Sequence, residues 1–547
     1  MIRKVFVSVV SLLVMALTQQ CAQVGPLTGG KRDSSPPKLI ESIPANNCTN
    51  FHGQEIILKF DEYIQLKDLT NQLVVSPQVK KMPEIETLGK MLKIKIEPQN
   101  FEPGTTYRID FGKSIADMHE SNILENFSFV FSSGPFIDTI EITGKLTLAF
   151  NNKDVADASV CLYPNATWFD SLTFKTLPSY IAKTKSNGDF HFYNLPASKY
   201  LIYAIDDVNK NSLYDGESEQ IAMLGPPMFL KTDTVIDLKM FKEEVSKYFI
   251  KKTNVNNYGL AQVIFNKPSK FKVKPSNMAQ SKWLFESQVD KLKDTISIYY
   301  KNIDGTLSLY IQNIATSKVD TLKLALPQKP NSTKSNLQMR INESQGKLTY
   351  GQNLQLIFST WMDTSKLNLN ALLLKSLTDS TVQKPSMSGY WSSINVFEIT
   401  SKLKEGVIYE LKINKNAFNS MASITNDSTS FKFKTYAKTD FGKFNLKLRV
   451  SRKQNYVLQL LNDKEEVVKE VSMPYSAFAS GSATIPFNSL LPGNYAVKII
   501  FDNNENKKWD RGDISNGRLP EPIIISYKTI KIISDWETEE EIILGEK

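Results

Sequence analysis

Residues 53–60 read GQEIILKF and residues 351–358 read GQNLQLIF. Gly, Gln, Leu and Phe coincide at the same spacing, and apolar residues alternate along both stretches. A period of two belongs to a strand buried on one face. The likeness continues in FEPGTTYRIDF (101–111) and LKEGVIYELKI (403–413), through Gly104/Gly406 and Tyr107/Tyr409. A further strand follows each Tyr at equal distance, ending at Phe131 and Phe433. Strands that recur at fixed spacing imply a duplicated domain. Each block is a series of short runs broken by Gly, Pro, Asn and Asp, which predicts a β-sandwich.

A second unit is also repeated. ITGKLTLAFNNKDVADASVCLYP leads into KTKSNGDFHFYNLPASKYLIYAIDD. Asn187-Gly188 is a hairpin signal, Phe190 and Phe192 alternate, Leu195-Pro196 turns the chain, and Tyr200 opens the next strand. Near the C-terminus LLPGNYAVKIIFD repeats the last part with Tyr495, but no Asn-Gly-x-Phe precedes it. Between the units, LAQVIFNKPSKFKVKP, DTISIYY, GTLSLYIQN and DTLKLAL alternate as well. A chain of 547 residues is too long for one core. The expectation is an all-β protein, a string of about five Ig-like or prealbumin-like β-sandwich domains. Their bounds are 38–135, 136–240, 241–335, 336–437 and 438–534, with 535–547 as a frayed acidic tail.

The opening SIPANNCTNFHGQEIILKFDEYIQ resembles the bacterial Ig-like domain of the SbsA type over 38–133, and more weakly over 336–436. The pattern G-x-F-x-F-x-x-L-P-x-x-x-Y at 188–200 resembles the prealbumin-like family that includes Cna-B and carboxypeptidase-regulatory domains. That resemblance implies seven-stranded sandwiches. At the N-terminus, MIRKVFVSVVSLLVMALTQQC has early cations, an apolar run from Val5 to Leu17, then Cys21. The run is that of a secretory signal, too short to span a membrane convincingly. With the following Gly/Pro-rich CAQVGPLTGGKRDSSPP it resembles the start of many lipoproteins of Bacteroidota, although Gln20 replaces the usual small residue. The resemblance implies a signal peptide at 1–20, a lipidated Cys21 on a tether to residue 37, and anchoring to the cell envelope, at the outer membrane. The membrane partner is then reached through the lipid.

One polar loop occurs in both prealbumin-like units. DVNKNSLYD (207–215) and DNNENKKWD (502–510) share D-x-N-x-N-x-x-x-D. Alternate oxygens around a turn, closed by a carboxylate at position nine, suit calcium in a structural role. The ligands would be Asp207, Asn209, Asn211 and Asp215, and Asp502, Asn504, Asn506 and Asp510. At position twelve stands Asp513 in the second copy, and Ser218 between Glu217 and Glu219 in the first. The other reading is an Asx-rich turn whose side chains bond their own backbone.

Other chemistry finds little footing. The net charge of +9 is spread without a basic block, against nucleic-acid binding. His52, His119 and His191 make no zinc spacing. FGKS (111–114) lacks the first glycine of a phosphate loop. Asp61-Glu62 could suggest a glycosidase pair, but reads better as solvated loop residues. The six tryptophans suit packing more than a sugar platform, and Cys48 and Cys161 fall in different domains, without a disulfide. The chain therefore reads as a non-catalytic envelope scaffold, spacer or adhesion protein, whose partners are envelope proteins or glycans. A glycan- or peptide-binding lipoprotein is the alternative, and an enzyme accessory subunit the third.

Overall fold

A computed structural model describes residues 33–166, 175–243, 248–277, 284–286, 293–314, 317–328, 337–344, 346–348, 351–365, 369–377, 387–421, 423–478, 481–514, 516–526 and 528–545. Cys21, Trp168 and Trp283 lie outside them. The fold is all-β, built as a series of two-sheet sandwiches.

In the first sandwich, the strand Glu55–Phe60 buries Ile56, Leu58 and Phe60, the apolar half of its alternation. Its sheet runs in the order Leu39–Ile43, Glu55–Phe60, Met91–Lys95, Glu84–Leu88. Ser128–Ser132, Thr106–Asp110 and Val74–Ser76 form the facing sheet. The copy at 337–436 follows the same plan. Leu354–Phe358 buries Leu354, Leu356 and Phe358, between Met339–Ile341 and Val396–Ser401. An opening strand therefore forms there without the Pro-x-Asn of the first copy. In both, the chain next switches sheets to run parallel to the last strand, at Cys48↔Phe131 and Leu348↔Thr435.

The shared Tyr explains why its spacing is kept. Tyr107 pairs with Phe131 and Tyr409 with Phe433, rings stacked at 5.6 and 5.8 Å. Each hydroxyl accepts a backbone N–H five residues upstream, from Glu102 at 2.6 Å and Lys404 at 2.8 Å. The pair fills the core and ties the incoming loop with one side chain.

Residues 250–325 form the third Ig-like sandwich. One sheet orders Ile250–Asn257, Leu260–Ser269, Lys293–Tyr300 and Leu284–Glu286; the other orders Phe271–Pro275, Thr306–Asn313 and Val319–Ala325. Val263, Phe265, Ile298, Leu307, Leu309 and Ile311 meet between them.

The prealbumin-like copies correspond strand for strand. The first has Asp189–Leu195, Ile140–Leu148 and Thr234–Met240 in one sheet; Tyr180–Lys183, Ser159–Pro164, Lys199–Ile205 and Ile221–Met223 make the other. The second has Ser482–Leu490, Gly442–Val450 and Glu537–Leu544 against Val467–Met473, Asn455–Asn462, Gly493–Asp502 and Ile523–Ile525. Tyr200 donates its hydroxyl to the Pro196 carbonyl at 3.0 Å, and Tyr495 to that of Leu491 at 2.8 Å.

Three expectations change here. Asn187-Gly188 makes a tight turn, with Gly188 at φ 79°, but not a hairpin: the strands either side of it enter different sheets. The core strand not visible in the second sequence is present as Ser482–Leu490. It opposes Phe487 to Phe444, as Phe192 opposes Ile142 in the first copy. The closing segment is no frayed tail. Glu537–Leu544 pairs in parallel with Gly442–Val450 along its whole length, in the place that Thr234–Met240 holds in the first copy. Its acidic residues are matched to basic neighbours: Glu541 meets Lys447 at 3.3 Å and Arg449 at 2.6 Å. Leu544 is buried in the core.

The described residues divide into two compact units. The first runs to Lys145 and adds Ala156–Tyr203 and Pro226–Asp237; the second holds Leu146–Val155, Ala204–Gly225 and everything from Leu238.

Candidate functional site

Each D-x-N-x-N-x-x-x-D loop leaves a long buried strand, Lys199–Ile205 in the first copy and Gly493–Asp502 in the second. The leading Asp, two residues past the strand in the first copy and its last residue in the second, gathers the turn. In the first loop its two oxygens accept the N–H groups of Asn211 and Ser212, both at 3.0 Å. In the second, Asp502 does the same for Asn506 and Lys507, again at 3.0 Å. Asn209 and Asn504 accept the same N–H of Asn211 and Asn506, at 3.1 and 3.2 Å. Asn211 and Asn506 accept from two residues on, Leu213 at 2.8 Å and Lys508 at 3.0 Å.

The ninth-position carboxylate closes the ring. Asp215 accepts the side-chain amides of Asn209 and Asn211, the latter at 2.9 Å. Asp510 accepts those of Asn504, at 2.8 Å, and Asn506. Backbone conformation matches too. Lys210 and Ser212 have φ 61° and 59°; Glu505 and Lys507 have 63° and 64°. Left-handed backbone at non-glycine residues costs roughly 1 kcal/mol each, and the Asx bonds hold it there.

A further carboxylate completes each loop. Glu219, 1% exposed, accepts from the Asp215 N–H at 2.9 Å and the Val208 N–H at 3.3 Å. Glu521, 6% exposed, accepts from Asp510 at 3.0 Å and Asn503 at 2.7 Å. Burial pushes both carboxyls above the usual range, although the N–H groups pull the other way. The sequence reading missed this pair in its role, naming Glu219 only as a neighbour of Ser218. Asp513 stands apart from its loop: its carboxylate accepts from Asn516, from the backbone at 3.1 Å and the side chain at 2.8 Å.

The other candidates are dispersed. His52 and His119 are exposed; His191 bonds Glu141 at 2.7 Å and stacks on Tyr193. FGKS is a turn with Ser114 fully buried. Asp61 accepts the Lys38 N–H at 2.8 Å, an end-of-strand tie. Trp391 packs among Phe358, Phe397 and Phe418, whereas Trp536 is 65% exposed. Cys48 and Cys161 are not joined in a disulfide. A groove of about 440 Å³ in the first sandwich is lined by Lys81, Glu84, Lys95 and Glu97, which pair with one another. Among the described residues, no three His, Cys, Asp or Glu gather as a metal-binding group, and no helix is long and apolar enough to cross a membrane.

Residues 33–133 match the family described as bacterial Ig-like domain. Residues 443–518, which include the second loop, match a family described as an uncharacterized protein conserved in bacteria. No curated protein sequence matches the chain. Among solved structures, BcpA, the major pilin subunit of Bacillus cereus, is similar at 11% identity over 74% of this chain and 99% of its own, TM-score 0.14. Domains 4–9 of the surface layer protein SbsC are similar at 11% identity over 84% of this chain and 66% of theirs, TM-score 0.21. The Escherichia coli adhesin FdeC is similar at 10% identity over 56% of this chain and 99% of its own, TM-score 0.15.

Proposed function

We propose that the chain is a non-catalytic protein of the cell envelope, a tandem array of β-sandwiches that works as scaffold, spacer or adhesion stalk. The observation that carries this reading is how the repeated polar groups are used. Tyr107 and Tyr409, Tyr200 and Tyr495, and Asp207 and Asp502 each bond nearby backbone in both copies. Duplication has kept bracing, and sandwiches so braced offer their loop ends to partners.

Cys21 is the proposed anchor, acylated after removal of residues 1–20, and the outer membrane the proposed site. Several acyl chains at about 0.8 kcal/mol per buried methylene hold a protein on a bilayer essentially permanently. Cys21→Ser should shift the protein from the membrane to the soluble fraction, with loss of acyl mass from the mature N-terminus. A wild-type protein already soluble, starting at another residue, would sink the anchor.

The loops are the proposed calcium sites, stiffening the prealbumin-like copies. The donor set is all oxygen, as a hard cation requires: Asp207, Asn209, Asn211 and Asp215 in one copy, Asp502, Asn504, Asn506 and Asp510 in the other. Asp215 and Asp510 bind Asn amide groups in the present arrangement. To admit a cation, those amides must turn their carbonyl oxygens inward. Glu219 and Glu521, not Asp513, stand nearest to serve as the outer carboxylate.

A further inference from the structure

Within the second unit, the last sandwich touches the rim of the first prealbumin-like copy through two clusters. In one, residues of the last sandwich bracket Phe150. The Lys498 ammonium lies 3.0 Å over its ring centroid, and the Trp509 ring meets it edge-on at 5.0 Å. Beside them Lys153 pairs with Glu465 at 2.8 Å. In the other cluster, Glu243 reaches both loop regions. One carboxylate oxygen accepts from the Tyr214 hydroxyl at 3.0 Å, the other from the Ile514 N–H at 2.7 Å. Gly512 lies against the Phe241 ring, where any Cβ would collide with it.

We propose that these contacts form a releasable latch between the two copies, with Glu243 as its clasp and Phe150 as its wedge. Intrachain interfaces of this partly polar kind resemble transient ones and open readily. Tyr214 and Trp509 occupy the same position of the two loops, so the latch uses one element of the repeat for two jobs. Tyr214 bonds the clasp, and Trp509 grips the wedge. The proposal depends on neither the cation nor the lipid.

Lys498 sets how tightly the latch holds. It is 2% exposed, and burial pushes its pKa down to about 8 from 10.5. Glu465 opposes that shift, and the same carboxylate pairs with Lys153. A docked pKa below the undocked one means that docking releases a proton. Phe150 supplies part of that burial, so docking strengthens as pH rises past about 8. At pH 7 the latch bears the full cost of shielding an ammonium from water, offset in part by the Phe150 face.

The test is zero-length carbodiimide coupling on the full chain at pH 7, read by mass spectrometry as the Lys153–Glu465 linked peptide. Wild type should give it. Glu243→Ala should lower the yield about ten-fold or more, as expected for two hydrogen bonds to a charged acceptor. Gly512→Leu should abolish it. Lys498→Met, which keeps the length and removes the charge, should raise it. Circular dichroism of Glu243→Ala keeps the result decisive, because this side chain lies outside both sandwich cores. No linked peptide in wild type, or an unchanged yield in Glu243→Ala and Gly512→Leu, would overturn the latch.

Discussion

Tyr107 and Tyr409 each tie a core ring to a backbone N–H, and this is the smallest thing the duplication preserved. Replacing either by Phe leaves the ring buried and removes one acceptor. We expect each change to destabilise its own sandwich by about 1 kcal/mol, several degrees in a melting curve for a hundred-residue domain. Equal losses in the two sandwiches are expected; a loss in one alone would show that the bond matters in only one copy. The Tyr was legible because a Gly three residues before it and a Phe at fixed distance after it both recur. Glu219 and Glu521 were not legible as a pair. They follow their loops at unequal distances along the chain and are brought to the same place only by the fold. The same holds for Glu243, whose two partners come from distant loops. Asp513 misled for the opposite reason: it has the right spacing, but its turn points it at Asn516.

At the scale of elements, alternation told strands from loops but not which sheet a strand joins. Asn187-Gly188 predicted a turn, and a turn is there. The flanking strands separate because Tyr180–Lys183 pairs with Ser159–Pro164 and Asp189–Leu195 with Ile140–Leu148, a choice made by tertiary packing. The closing segment misled through its charge. Four Glu among residues 537–541 and Trp536 suggest solvent, yet the neighbouring strand supplies Lys447 and Arg449 to face them, and opposite charges across a pair are favourable. This gives a direct prediction. Removing residues 537–547 should strip Leu544 and part of Ile542 from the last core and destabilise that sandwich by roughly 3 kcal/mol or more. A frayed tail would be removed without effect on urea unfolding. Reversing one charge, Glu541→Lys, should cost less, under about 1 kcal/mol, because the pairs are half-exposed.

Over the whole molecule, the all-β class and the sequence of sandwiches were readable, because repeated period-two runs leave few other folds open. The division into two compact units was not, since its bounds cut through the first prealbumin-like sandwich, at Lys145/Leu146 and Tyr203/Ala204, where no linker or change of pattern marks the sequence. The central proposal is that the duplicated loops are cation-held braces in a non-catalytic array. Extracellular calcium modules bind at about 0.1–1 mM, so 1 mM calcium at the tight end adds roughly 1.4 kcal/mol. Scanning calorimetry of the intact chain, with 1 mM calcium and after chelation, tests this most directly. The transitions of the two prealbumin-like sandwiches should rise by several degrees with calcium, while those of the Ig-like sandwiches stay fixed. Asp207→Ala and Asp502→Ala should each cancel one of the two shifts. Superimposable thermograms with and without calcium would contradict the claim and leave the loops as Asx turns inherited with the duplicated domain.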